Sequence, residues 1–526
     1  MPRGHLASAA LLLSVSFVLS RVLGLFRNVV IADIFGNSRA VEAYFAAFRI
    51  PDTMFMLVSG GALASAFVPM FAGLLEQGEE EVAWKVASTV LNTVTLALAG
   101  MAVIAFVFAP EIMGVLVQRE RALSADLTRI MLLQPIFLGV AAIVTSILQS
   151  YHRFVLTALS PLLYNLAVIG GALFFGRSYG VQALAWAVVI GAVAQLIVQL
   201  PGLWREGSRL FRLAVDWTLP QAREVLRLFG PRVVGLAAFQ AMLLITLFLA
   251  AGLPPGNWAA INYSWPLMMF PVNALGTAAA TATFPTLSRL SAVDDLAPVR
   301  RTVARSLRLV LFLAIPASVG LIVLRRPVVN LLFGHGQWTS LATEQTAFAL
   351  LFYAIALAPL AGIEVLARVF YAMKDTVTPV RIAVVAVALD AALSILFVRL
   401  LPPTSGQGGL ALATAIATTL QATWLAVALG SRLGGIGGRA LLLTVRDAGI
   451  ASLAMGCLLY VTLDPLTAVF PQRGWGVLIT TVVELALGMG AFAFMAYVLG
   501  APELWEVRSF VQRREAGPRR DGRDPS

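Results

Sequence analysis

Charge is scarce in this chain. Asp, Glu, Lys and Arg make up 12% of its 526 residues, about half of the ~25% carried by a soluble domain. Hydrophobic residues make up 59% and the mean hydropathy is +0.86. That balance excludes a water-soluble globule. Cysteine is almost absent: the single Cys457 rules out an intrachain disulfide, and its place in an apolar run reads as a packing position. Histidine is nearly as rare, and His5, His152 and His335 lie near segment ends without metal-ligand spacing. No HExxH, Walker-type loop or nucleophile elbow occurs. Catalysis therefore finds no support, and the chain reads as a non-enzyme.

What fills the sequence instead is apolar runs of membrane-spanning length, which need about 20 residues to cross the hydrocarbon. Breaks at Pro, Gly and charge clusters predict about fourteen transmembrane helices, near 8–34, 41–75, 84–108, 126–150, 156–175, 181–201, 222–251, 257–287, 303–324, 345–372, 379–400, 408–430, 446–464 and 475–499. The expected fold is an all-α integral membrane bundle. Pro51 and the pair Gly60-Gly61 should kink or open the second span, as lipid-shielded backbone permits. The first span, preceded by Arg3 and followed by no small-residue cleavage site, is expected to be a retained helix.

Arginine marks alternate connections: Arg205, Arg209, Arg212, Arg223 and Arg227; Arg289, Arg300, Arg301 and Arg305; Arg432, Arg439 and Arg446; and Arg508 to Arg523 in the tail. The positive-inside rule then places both termini in the cytoplasm. The net charge of +11 is accounted for by this topology and by contact with anionic lipids, so no nucleic-acid partner is expected.

The two halves resemble each other. Ala66-Phe67-Val68-Pro69 returns as Ala282-Thr283-Phe284-Pro285, Ala109-Pro110 as Arg326-Pro327, and Tyr151 with Pro161 as Tyr371 with Pro379, all at offsets of roughly 216–220 residues. A six-helix unit repeated in parallel is the arrangement of alternating-access transporters with a substrate site between two lobes. The predicted domains are an N-lobe, 1–215, a C-lobe, 216–435, two further helices, 436–500, and a basic cytoplasmic tail, 501–526, read as disordered.

The few charges inside the first two spans carry the functional signal: Arg21, Arg27, Glu42, Arg49 and Asp52. A charge at membrane depth costs at least ~2.5–3.5 kcal/mol, so a cluster must face a protein-lined polar space. Arg21, Arg27 and Arg49 together suit a multivalent anion, because the guanidinium fork matches phosphate oxygens. The competing reading is that these arginines pair with Asp33, Glu42 or Asp52 and cross-link the helices. Elsewhere, Glu364 and Arg368 have the spacing of an intrahelical ion pair, and Glu484 reads as a neutralised interfacial acid.

Ser20-Arg21-Val22-Leu23-Gly24-Leu25-Phe26-Arg27, Glu42-Ala43-Tyr44-Phe45-Ala46-Ala47-Phe48-Arg49-Ile50-Pro51, Ile261-Asn262-Tyr263 and Phe370-Tyr371-Ala372-Met373-Lys374-Asp375-Thr376-Val377-Thr378-Pro379 resemble the MurJ (MviN) family, flippases of lipid II. The resemblance spans nearly the whole chain. It implies the MOP exporter fold, MATE-like, with two parallel six-helix lobes and two C-terminal helices forming a groove for a polyprenyl tail. It also implies a bacterial inner-membrane location, a polyprenyl-pyrophosphate substrate among membrane lipids, and a monomer working beside cell-wall synthesis. Carried over by position, Ser20, Arg21 and Arg27 fall at the head-group site and Glu42 at the acidic position of its motif, with Arg49 and Asp52 beside them. Asp390 and Ser394, faced by Gln240 and Thr246, fall where some members hold Na⁺. No cofactor is expected, the drive being Na⁺ or the membrane potential. The chain departs from the family at Phe55, Gly60 and Pro266, which stand where an arginine, a glutamate and an arginine are usual. Flipping of another polyprenyl-pyrophosphate glycan, a MATE-like antiporter and a non-transporting cell-wall scaffold stay open as alternatives.

Overall fold

The computed structural model describes residues 3–59, 62–117, 119–206, 208–277, 279, 297–470 and 474–506. Its first-half α-helices are α1 (Arg3–Phe35), α2 (Arg39–Ser59), α3 (Ala62–Glu76), α4 (Glu80–Val107), α5 (Ala109–Leu116), α6 (Arg121–Met131), α7 (Leu133–Ser150), α8 (Phe154–Gly170), α9 (Gly176–Tyr179), α10 (Val181–Ile197) and α11 (Leu200–Arg205). There follow α12 (Pro220–Ala251), α13 (Asn257–Val272), α14 (Ala297–Val323), α15 (Arg325–Phe333), α16 (Ser340–Ala372), α17 (Val377–Leu400), α18 (Gly406–Leu433), α19 (Gly438–Val469) and α20 (Trp475–Val498). No strand occurs among the described residues.

Among the described residues, eleven segments are long and apolar enough to cross a membrane. They correspond to the first, third to sixth and ninth to fourteenth expected spans. The other three are not among these eleven: the second falls on α2 with α3, the seventh on α12, and the eighth on α13 continued by a π-helical turn at Asn273–Thr277, the rest of that span lying outside the described residues. Charge is the reason for the second, since α2 carries Arg39, Glu42, Arg49 and Asp52. Pro51 lies inside α2, which runs through it. A proline cannot donate to the carbonyl four residues back, and that carbonyl, Ala47 O, has the Thr128 hydroxyl 3.5 Å away on α6.

The repeat reaches local geometry. The third and ninth spans are each followed by a short helix with proline in its first turn, α5 and α15. The fourth and tenth each end in a turn with one non-glycine residue in the left-handed region, His152 (φ 59°) and Lys374 (φ 60°). The Ala282–Pro285 echo, the Gly60-Gly61 pair, Gly207, Arg289 and the tail from residue 507 lie outside the described residues.

The chain forms two compact units. The first comprises Met1–Pro266, Leu332–Thr346 and Val387–Ala413. In it α8 packs on α1 and α10, and α7 on α4 and α10. Small residues set the spacing: a Cβ on Gly191 would come within 3.0 Å of Tyr164 O, the close approach that membrane helix pairs use in place of a hydrophobic drive. A core around Phe67, Phe71, Trp84 and Leu98 fills it. The second unit comprises Leu267–Leu331, Ala347–Ala386 and Thr414–Ser526. There α19 packs along α14 and α20 over Phe312, Met455, Leu459 and Phe492. The Glu364–Arg368 pair forms at 3.5 Å. Cys457 is exposed, contrary to the packing role expected of it; an apolar helix turned toward lipid offers a thiol the same environment outside as a core would inside.

One connection in the second unit is clipped. Asp375 accepts the backbone N–H groups of Val377 and Thr378, each at 3.0 Å, and pairs with Arg432 at 2.5 Å. Partial burial pushes this carboxyl up, but the Thr378 hydrogen bonds and the Arg432 guanidinium outweigh it and hold it at about 2, against an ordinary 3.8. A depressed acid stabilises the fold above its unfolded value and stops doing so as pH falls toward the folded one. Wild type should therefore lose more thermal stability than Asp375→Asn between about pH 5 and pH 2, followed by circular dichroism in detergent. Parallel losses would remove the clip's contribution.

Candidate functional site

Arg27 lies on the last third of α1, and the structure gives it neutral company. Its Nη1 donates to Asn165 Oδ1 on α8 at 3.3 Å, while its Nε is buried without a partner. Asn165 is held in turn, its amide donating to Pro161 O at 3.1 Å. Asp52 and the buried phenols of Tyr44 and Tyr164 are within electrostatic range of the guanidinium. Arg49, on α2, stands 3.9 Å from Asp52 and lies over the Trp258 ring at 5.7 Å. At 3.9 Å that pair is longer than a hydrogen bond. Arg27 thus keeps donor capacity for an anion.

The remaining expected residues distribute differently. Arg21 is exposed and stacks on Phe17, its Cζ 5.0 Å from the ring centroid. Ser20 is half-buried next to it. Glu42 is spent on backbone: its Oε1 accepts from the N–H groups of Gly256, Trp258 and Ala259 at 2.9, 3.0 and 3.4 Å. These are unpaired donors at the start of α13, where a helix also favours negative charge. A cavity of about 40 Å³ beside it is lined by Arg39, Arg119, Glu120 and Leu253. Ser394 donates to Asp390 Oδ1 at 3.3 Å, both fully buried. Gln240 accepts from Thr53 at 3.3 Å, and Thr246 donates to its own helix at Met242 O. So the Asp390–Ser394 half of the expected Na⁺ set is brought together, while the other two oxygens are committed elsewhere. Among the described residues no group of three or more His, Cys, Asp or Glu gathers to hold a metal.

Around Glu42 three loops interlock. Asn37 donates to Gly256 O at 2.9 Å and to Gln345 Oε1 at 2.8 Å. Gln337 N donates to Asp33 O at 2.8 Å, and Tyr263 Oη to Gly36 O at 3.1 Å. Gly36 (φ 59°) and Gly336 (φ 54°) face this contact in conformations that disfavour a side chain. A Cβ on Gly336 would overlap the Asp33 carbonyl. Beneath the loops Tyr263 packs against Phe45, Phe333 and Trp338 at centroid distances of 5.4, 5.1 and 5.1 Å. None of these partners is close in sequence; Asn165, Tyr164 and Trp258 were missed because only tertiary packing brings them to the arginines.

A chain of membrane-length helices in this order is similar in fold to transporters of the MOP superfamily. A solved structure of lipid II flippase MurJ in an inward closed conformation superposes with a TM-score of 0.77 at 24% identity, covering 93% of this chain and 98% of that one. An inward-facing MATE multidrug transporter of the same superfamily gives 0.68 at 14% identity, over 81% and 98%. The family model described as lipid II flippase MurJ matches residues 31–500. Among curated relatives, the lipid II flippase MurJ of Burkholderia cenocepacia is 32% identical over 81% of this chain and 84% of its own. The probable lipid II flippase MurJ of Bdellovibrio bacteriovorus is 28% identical over 97% and 98%. The chain belongs to the MurJ family, and it is a multi-pass membrane protein.

The Glu42 contact yields a number. Hydrogen bonds to a charged group contribute about 1.5–3 kcal/mol each, and less when they are removed as a set. Glu42→Ala should lower unfolding stability by at least about 1.5–3 kcal/mol, and Gly336→Ala by about 1–3 kcal/mol through forced backbone strain. Thermal unfolding in detergent measures both. A neutral Glu42→Ala would mean that the α13 N–H groups find water just as readily.

Proposed function

We propose that this chain moves lipid II, an undecaprenyl-pyrophosphate-linked peptidoglycan precursor, from the cytoplasmic to the outer leaflet of a bacterial inner membrane. The observation that carries the reading is Arg27, in a membrane-length helix of a MurJ-family chain, its Nε buried without a hydrogen bond. Arginine matches pyrophosphate oxygens in a bidentate way, and Asn165 holds Arg27 ready for it. Both termini lie in the cytoplasm, so the Asn37–Gln345 clasp is the outer closure, with Glu42 as its latch. Alternating access then requires Glu42 to leave the α13 N–H groups. A MATE-like antiporter for cations would call for acidic residues where this site has arginines.

The cycle runs without covalent chemistry. An anionic head group leaving an inside-negative cell gains ~2.3 kcal/mol per charge per 100 mV. Na⁺ at Asp390 and Ser394 is the other candidate drive, and it needs more oxygen ligands than these two side chains supply.

Three outcomes are expected. The wild type should rescue cells depleted of their own flippase, and Arg27→Ala should not; equal rescue would remove Arg27 from the site. In reconstituted vesicles, collapsing the potential should slow flipping, and unchanged rates without both potential and Na⁺ would defeat both drives. Phe55 and Pro266 stand where the family usually has arginines, each worth about 1.5–3 kcal/mol as a charged hydrogen bond. Phe55→Arg should therefore tighten lipid II binding by roughly tenfold or more. No change would mean that position 55 does not face the head group.

A further inference from the structure

Glu484 takes no part in the site above, and its surroundings in the second unit are unusual for a carboxylate. It is fully buried on α20, 0% exposed. One of its oxygens, Oε2, lies 3.0 Å from the Thr462 hydroxyl of α19, and the other, Oε1, has no partner. The helices are close here: a Cβ on Gly488, one turn further on, would come within 3.2 Å of Leu459. Their outer faces, with Tyr460, Val461, Val482 and Met489 exposed, are apolar, as a lipid-facing surface requires.

Hydrogens are scarce at this contact. Thr462 has one hydroxyl proton, and its Oγ1 is 3.0 Å from Leu458 O, 3.4 Å from Leu459 O and 3.0 Å from Glu484 Oε2. Threonine in a helix gives that proton to the carbonyl four residues back. With that proton on Leu458 O, the approach to Glu484 is a hydrogen bond when the carboxyl supplies a second hydrogen; with it turned to Oε2, Thr462 is the one donor the group has. Among the described residues no ion pair to Glu484 forms, and Arg325 and Arg326 at the start of α15 are engaged elsewhere, Arg325 with Ile322 O. Arg446 is 16 residues from Thr462, or about 24 Å along α19 at 1.5 Å per residue, and it is paired with Asp447. On α14, Arg305 and Arg308 are held by Glu506 and Glu503. Asp464, two residues past Thr462, is exposed about 200° round the helix; Tyr460, Cys457 and, on α20, Tyr497 are exposed as well. An anion at Glu484 would keep at most one donor in a buried setting, a far larger cost than one unpaired carbonyl oxygen.

We propose that Glu484 is an intramembrane proton-binding site. Its carboxyl carries a proton at neutral pH, donates it to Thr462 Oγ1 and so joins α19 to α20; releasing it loosens that joint. The helix pair is thereby made responsive to proton activity, independently of the anion site.

Infrared spectroscopy of the full-length protein in lipid vesicles tests this. The wild-type minus Glu484→Gln difference spectrum should contain a carboxylic acid C=O band at neutral pH that shifts in D₂O. Raising the pH should convert it to carboxylate bands. Thr462→Val, which removes the acceptor but leaves the acid, should move the same band, a readout that does not depend on the Gln variant. Because the folded chain holds a proton that the unfolded chain releases, wild-type melting temperature should fall with rising pH more than that of Glu484→Gln. Absence of the band at neutral pH, a band that no pH removes, or a band unmoved by Thr462→Val would overturn the proposal.

Discussion

A guanidinium cannot give up its proton, so an arginine placed at membrane depth must be solvated by the protein or by a ligand. The organisation of the first unit follows from that constraint at Arg27. The residue is met by α8, where Asn165, held by its amide donating to Pro161 O, accepts from it. Two buried tyrosines and a distant carboxylate complete its surroundings. A close ion pair would have satisfied the cation and closed the site. The loose company it actually keeps leaves a positive, directional donor set, which is what a phosphate needs.

The same economy explains where the negative charges went. Glu42 is in reach of the first two helices, yet it is bound to the N–H groups that begin α13. Capturing the acid at a helix start keeps it from neutralising Arg27 or Arg49. It also joins one carboxylate to the loops that Asn37 clasps at Gly256.

Much of this was legible in the sequence. The membrane-length apolar runs and the arginines of the first two helices were readable because hydrophobicity and charge are local signals. Partners were not. Glu42 carried the right charge for the head-group region, but its partners are backbone groups more than 200 residues away, which carry no residue-type signature. Gln240 and Thr246 were polar in the right place, yet a helix can absorb a threonine hydroxyl in its own backbone, and it did. Asn165 is an ordinary asparagine until packing brings it to Arg27. Cys457 shows the converse failure: in an apolar helix, composition does not separate the face toward protein from the face toward lipid.

The central claim is that Arg27 is kept under-satisfied in order to bind pyrophosphate. Native mass spectrometry of the purified protein with lipid II, competed by soluble pyrophosphate, tests it most directly. Wild type should bind lipid II and release it to the competitor, and Arg27→Ala should bind about tenfold more weakly or worse, the loss of one charge-assisted hydrogen bond. Equal binding by both proteins, insensitive to pyrophosphate, would contradict the account.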